Sequence, residues 1–228
     1  MATSASFTMD LAEIIEEAFE RASGGSRELR SGYDYRTARR SLNLLTMEWA
    51  NRGLNLWTVE EGSISLTQGV GEYTLPADTV DLMEYYTRQN EGTSSQVDLA
   101  MSRVSVSTHA ALPNKLIQGR PTQLYIQRST VAPVIHVWPL PDNDAYKLIY
   151  WRLRRIQDAG STGADTMDVP FRFVPALIAG LAFHIAQKIP QGESRAQLLN
   201  AAYEQAFSLA ADEDREKATV RFVPRIRR

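Results

Sequence analysis

The sequence predicts an α+β protein: a discontinuous helical bundle from the N- and C-terminal segments, an inserted antiparallel β-sandwich or barrel-like module, and an extended C-terminal arm. Three observations predict it. Apolar residues recur at helical spacing near both ends of the chain. The middle alternates at strand spacing between short turns. The last residues follow neither rhythm.

Residues 10–22 read as a first helix, with Leu11, Ile14, Ile15, Ala18, Phe19 and Ala22 on one face. Asp10 and Glu13 form a capping pair, and Ser23-Gly24-Gly25-Ser26 breaks the helix. Residues 34–52 read as a second helix, with Ala38, Leu42, Leu45 and Trp49 inward and Gly53 as its stop.

From Leu56 the period changes. Residues 56–66 are extended, Gln68-Gly69-Val70-Gly71 is a turn, and 72–75 is a short strand. Strands follow at 79–88 and 95–101, while 104–112 fits a short helical insert. After Gly119-Arg120-Pro121 come strands at 122–128, 133–138 and 145–156. Pro139, Pro141, Asp142 and Asn143 make the turn between the last two. No long helix separates the strands, which argues for antiparallel sheets over a nucleotide-binding βαβ unit.

Residues 158–168 form a polar loop, after which helical spacing returns in Val174, Leu177, Ile178, Leu181, Ala182, Ile185 and Ile189. Pro190-Gln191-Gly192 ends that helix. Ser194 is expected to cap a last helix to about 214, with Leu198, Leu199, Ala202, Ala206 and Leu209 inward. A two-helix unit buries too little apolar surface to stand alone, so both ends should share one bundle. The expected domains are a helical bundle of 1–54 with 169–215, a β domain of 55–168, and an arm of 216–228.

Hydrophobic residues at 43% suit a folded chain rather than a disordered one. A net charge of −2 argues against gripping nucleic acid through its phosphates, which requires a basic excess. The absence of cysteine removes thiol catalysis, disulfides and thiolate metal sites. The longest apolar stretch, 174–189, is interrupted by Gly180, His184, Gln187 and Lys188, so no membrane span is expected. Residues 1–7 lack the features of a signal peptide. A soluble protein made in a cytoplasm is expected.

No constellation of catalytic residues emerges. His109, His136 and His184 match no metal-binding spacing and read as structural. Gly69-Val70-Gly71 leads into a strand, not the helix of a dinucleotide loop, and no Walker A loop occurs. The doublets Glu16-Glu17 and Glu60-Glu61 could supply a hydrolase pair, but the acidic residues of the first helix lie opposite its apolar stripe, as a solvated face does. Gly-x-Ser-x-Gly is absent. No catalytic residue, metal or cofactor is expected. Trp49, Trp57, Trp138 and Trp151 read as core residues or intersubunit anchors.

Two features stand out. Arg27, Arg30, Arg36, Arg39 and Arg40 cluster, with Arg36, Arg39 and Arg40 on one helical side. That side is either solvated or faces DNA or a neighbouring subunit. The arm interleaves Val220, Phe222, Val223 and Ile226 with Arg221, Arg225, Arg227 and Arg228. It is either a frayed tail or a segment that orders on a partner.

The run 31–45, then Glu48-Trp49-Ala50-Asn51-Arg52-Gly53 and Leu56-Trp57-Thr58, resembles the head-to-tail adaptors of short-tailed bacteriophages. These are also called tail tubular protein A or packaged-DNA stabilisation proteins. Tyr73-Thr74-Leu75-Pro76, Gly119-Arg120-Pro121, Val137-Trp138-Pro139, Pro141-Asp142, Ala176-Leu177 and Gly180-Leu181-Ala182 continue the resemblance in order. It implies a structural virion protein at the head–tail junction. Such a protein forms a twelve-fold homo-oligomeric ring under the portal protein, extends the DNA channel and helps retain the genome. It docks the tail nozzle protein and tail fibres, and DNA passes without sequence-specific recognition. By position, Val220, Arg221, Phe222, Val223, Arg225, Ile226, Arg227 and Arg228 would bind the portal. Arg36, Arg39 and Arg40 would face DNA or a neighbour. The alternatives are a virion-associated peptidoglycan hydrolase and another neck or tail ring component.

Overall fold

The computed structural model describes residues 7–25, 32–53 and 56–214. The chain divides into two compact units, Met1–Trp57 with Ile156–Arg228, and Thr58–Arg155. Helices from both ends thus flank a central strand module, the α+β order that the hydrophobic periods predict.

The helical unit contains α1 (Leu11–Ser23), α2 (Gly32–Arg52), α4 (Val174–Ala186) and α5 (Ala196–Glu213). Asp10 caps α1: its carboxylate accepts from the Glu13 amide at 2.9 Å, and Glu13 reaches back to the Asp10 amide at 3.1 Å. Gly24 ends α1 at φ 78°, a conformation that costs a residue with a Cβ more. The buried faces of α1 (Leu11, Ile14, Ile15, Ala18, Ala22) and α2 (Ala38, Leu42, Leu45, Trp49) are those the spacing predicts, except that Phe19 is only half-buried at the edge of the core.

Helix α4 is apolar nearly all round, as a helix covered on every side must be, and α1, α2 and α5 all pack on it. Gly180 makes the close approach possible. A Cβ there would stand 2.9 Å from side-chain carbons of both Leu45 and Tyr203. Trp49 and Tyr203 join the two ends of the chain directly. The indole Nε1 donates to the Tyr203 hydroxyl at 2.9 Å, in a core shared with Phe173 and Phe207. Burial pushes the Tyr203 hydroxyl up to about 12, so it stays protonated and donates onward to Glu48 at 3.4 Å. Arg52 closes the edge, pairing with Glu48 and, in bidentate fashion, with Glu204.

The last helix departs from expectation in two ways. It begins at Ala196 after a 3-10 turn (Pro190–Arg195), and no side chain caps it, so Ser194 is not the cap. Its buried residues are Leu199, Tyr203 and Ala210, while Leu198 and Leu209 face solvent. The Trp49–Tyr203 bond and the Trp49–Phe207 ring contact set the rotation of the helix, and aliphatic spacing alone did not reveal it. The preceding helix also stops early, at Ala186 rather than at Pro190.

The β unit is a sandwich. One sheet has the order β1 (Val59–Ser65), β8 (Tyr146–Arg154), β3 (Thr79–Gln89), β4 (Val97–Ala100). The other has β2 (Glu72–Thr74), β7 (Val134–Trp138), β6 (Gln123–Gln127), β5 (Ser102–Arg103). Every strand pairing is antiparallel except the two-residue β5–β6 contact. Alternating residues Leu148 and Tyr150, Leu124 and Ile126, and Ile135 and Val137 fill the core between the sheets. The ambiguous 104–112 segment contains one short helix, α3 (Val106–Ala110). Residues 156–168 belong with the helical unit. Asp165 and Gly163 carbonyls accept from the first-turn amides of Leu11 and Ala12, and Asn43 accepts from the Ala159 amide.

Two substitutions test this packing. Tyr203→Phe leaves the buried indole N–H of Trp49 unpaired and should lower unfolding free energy by about 1–3 kcal/mol in urea titrations. A loss within error of zero would show that the bond is not a structural tie. Gly62→Ala sets a Cβ 2.5 Å from the Tyr150 ring and should cost about 1–3 kcal/mol by overpacking, read as a drop in melting temperature.

Candidate interaction surfaces

The side of α2 opposite its buried stripe carries Arg36, Arg40, Leu44 and Met47, all exposed. These lie at i, i+4, i+8 and i+11, which the 3.6-residue turn gathers on one face. Arg36 Nε donates to the Gly32 carbonyl at 3.2 Å. Arg40 stands near Lys188, whose ammonium pKa is lowered first by burial and then by that guanidinium. Arg39 is set apart from the other two. It is half-buried and donates to the Gly160 carbonyl at 3.3 Å, which ties α2 to the 156–168 loop. Arg27 and Arg30 lie outside the described residues.

The arm residues Val220, Arg221, Phe222, Val223, Arg225, Ile226, Arg227 and Arg228 also lie outside the described residues. Their point of departure is well defined. Asp214 is buried, accepts from the Leu56 amide at 2.9 Å and pairs with Arg172 at 3.2 Å. The neighbouring Phe171 forms the rim of an apolar groove of 550 Å³, together with Phe7, Met9, Met167, Val169, Val174 and Pro175. Apart from Thr8 and Thr166 its lining is apolar. Such a groove is suited to burying apolar side chains.

The β unit has a second feature, which sequence spacing did not reveal. Tyr125 and His136 point outward from β6 and β7, and His109 of α3 packs on them. Tyr125 stacks on both His109 and His136, which are tilted to each other, with all three centroids 5.2 to 5.4 Å apart. His136 Nε2 bonds Gln127 at 3.0 Å, and its Nδ1 lies 3.4 Å from Glu72. Trp138 donates to the Asn114 carbonyl at 3.1 Å beside a cleft of 380 Å³. Tyr125, His136 and Trp138 occupy the outward positions of their strands, and that alternation was the available signal. His109 enters through the helical insert, and periodicity could not place it.

Among the described residues no group of three or more His, Cys, Asp or Glu could hold a metal ion. Among them, too, no helix is long and apolar enough to cross a membrane. The SU10 adaptor protein family model matches residues 9–226, nearly the whole chain. The chain belongs to the SU10 adaptor protein family. This is a bacteriophage family of structural proteins, so the adaptor is a component of a phage virion. No match was found among curated proteins. The family agrees with the head-to-tail adaptor resemblance carried by the ordered motifs of the sequence.

Burial disfavours the charged form of two histidines. His184, beside Glu48 and Lys188, and His109, beside His136, Lys115 and Glu72, are both held below the ordinary histidine value of 6.5, chiefly by desolvation. The unfolded chain therefore binds protons first as pH falls. Their contribution to stability is complete above 6.5 and is lost as pH drops through the folded values. Urea midpoints should fall between about pH 7.5 and pH 5.5, and His184→Gln should flatten that slope. An unchanged slope in the variant would exclude His184 as a source.

Proposed function

We propose that the protein forms a ring at the head–tail junction, twelve copies being expected, with the portal protein above it and the tail nozzle and fibres docked below. The ring extends the DNA channel and helps retain the packaged genome. The single observation that carries this reading is the match to an adaptor family over residues 9–226, both units included.

Several physical features support it. The net charge of −2 suits a channel through which DNA must slide, because a strongly basic lining would hold phosphate through counterion release. Arg36, Arg39 and Arg40 are proposed to serve this assembly rather than bind sequence, with Arg39 acting inside the chain through Gly160. The arm is proposed to be the portal contact through Val220, Arg221, Phe222, Val223, Arg225, Ile226, Arg227 and Arg228. Its apolar residues supply burial and its arginines orientation. Asp214, the last described residue before the arm, is held to the helical unit through the Leu56 amide and Arg172, which gives the arm a fixed tether. Multiplied around a ring, individually weak arm contacts become effectively irreversible.

Deleting residues 219–228 tests the arm. The truncated adaptor should keep its helical and sheet content by circular dichroism and lose binding to purified portal rings of the same phage. Undiminished binding would remove the arm from the portal contact.

A further inference from the structure

We infer that neighbouring copies of the adaptor join through the outer stripe of α2 on one copy and the outer face of α5 on the next. The inference deepens the proposed ring by naming the surfaces that close it.

Single exposed apolar residues are ordinary on protein surfaces, but these are grouped. On α2, Leu44 is 53% and Met47 44% exposed, one turn apart. On α5, Leu198 is 68% and Leu209 64% exposed, about three turns apart on the same side, with Ala202 and Gln205 between them. Each pair lies away from the buried stripe of its own helix, so neither can be covered from inside the unit. Two separate apolar faces on one unit are what a head-to-tail contact requires. Different surfaces meet and the contact propagates until a ring closes.

Charge selects the pairing. The α2 stripe continues into Arg36 and Arg40, with Lys188 nearby, and the acid beside it, Glu48, is already paired with Arg52. Packing α2 against itself would bring two cationic stripes together. The outer face of α5 ends in Asp212 and Glu213, where the helix carbonyls add partial negative charge. Both acids already interact within their own chain, so an incoming arginine joins an existing charge arrangement. In an antiparallel docking, Arg40 beside Asp212 of the next copy sets Leu44 beside Leu209, because both helices rise about 1.5 Å per residue. Packing α5 against itself would cover Leu198 as well as Leu209, whereas in the mixed register Leu198 lies past the end of α2 at Arg52. The α5–α5 contact is self-complementary, stops at a dimer and leaves Leu44 and Met47 exposed.

The natural chain has no cysteine, which gives a clean test. Full-length Leu44→Cys and Leu209→Cys variants are purified, checked by circular dichroism, concentrated and mildly oxidised. The mixture should form disulfide dimers that neither variant forms alone, and the double variant should form a ladder beyond the dimer. Adding Arg40→Glu should reduce the mixed yield several-fold. No mixed dimer would overturn the inference, and so would cross-linking of Leu44→Cys with itself or of Leu198→Cys with Leu209→Cys. Sedimentation of the unmodified chain separates the two claims. Oligomers without the Leu44–Leu209 cross-link overturn these surfaces and leave the ring standing. A monomer without the cross-link overturns the surfaces, and the ring is then decided by the copy number in particles.

Discussion

Trp49 and Tyr203 stand 154 residues apart in the chain and share a hydrogen bond of 2.9 Å in the centre of the helical unit. The helical unit depends on that meeting. Helix α4 is apolar around its circumference and is stable only when α1, α2 and α5 surround it. Two of these helices come before the strands and one comes after them. No contiguous piece of the chain can therefore complete the core, and burying the indole N–H without the other end of the chain would leave it unpaired. Gly180 allows Leu45 and Tyr203 to approach α4 closely enough for this to happen.

The same interaction decides what is left outside. Turning Tyr203 and Phe207 toward Trp49 and Phe173 turns Leu198 and Leu209 toward solvent. On α2, burying Leu42, Leu45 and Trp49 leaves Arg36, Arg40, Leu44 and Met47 on the far side. The surface of an assembly protein is thus a by-product of its core. One choice of rotation for each helix fixes both the packing and the faces available to partners.

Much of this could be read from residues alone. The buried stripe of α1 is aliphatic and that of α2 ends in a tryptophan, and periodicity found both, adding only the half-buried Phe19. Strands β6 and β7 alternate because their sheet has one buried face, whereas in β8 Leu148, Ile149 and Tyr150 are all buried and β3 carries register shifts. The failures have specific causes. In α5 two alternative stripes compete, and the winner is chosen by an aromatic hydroxyl bonding a residue far away in sequence. Ser194 has the chemistry of a cap, but a 3-10 turn carries the chain into the helix without one. Arg39 shares a helical side with Arg36 and Arg40 on a helical wheel, but a loop carbonyl brings it inward. The His109–Tyr125–His136 stack joins three elements, and its geometry has no local signature.

The family match places the protein among phage adaptors. Its position in the particle is the central claim. The most direct measurement is a symmetry-resolved image of the virion in which this chain is traced and its copies counted. The account predicts a ring of twelve copies between portal and tail nozzle. A position in the nozzle, in the fibres or within the head, or an isolated copy rather than a ring, would contradict it.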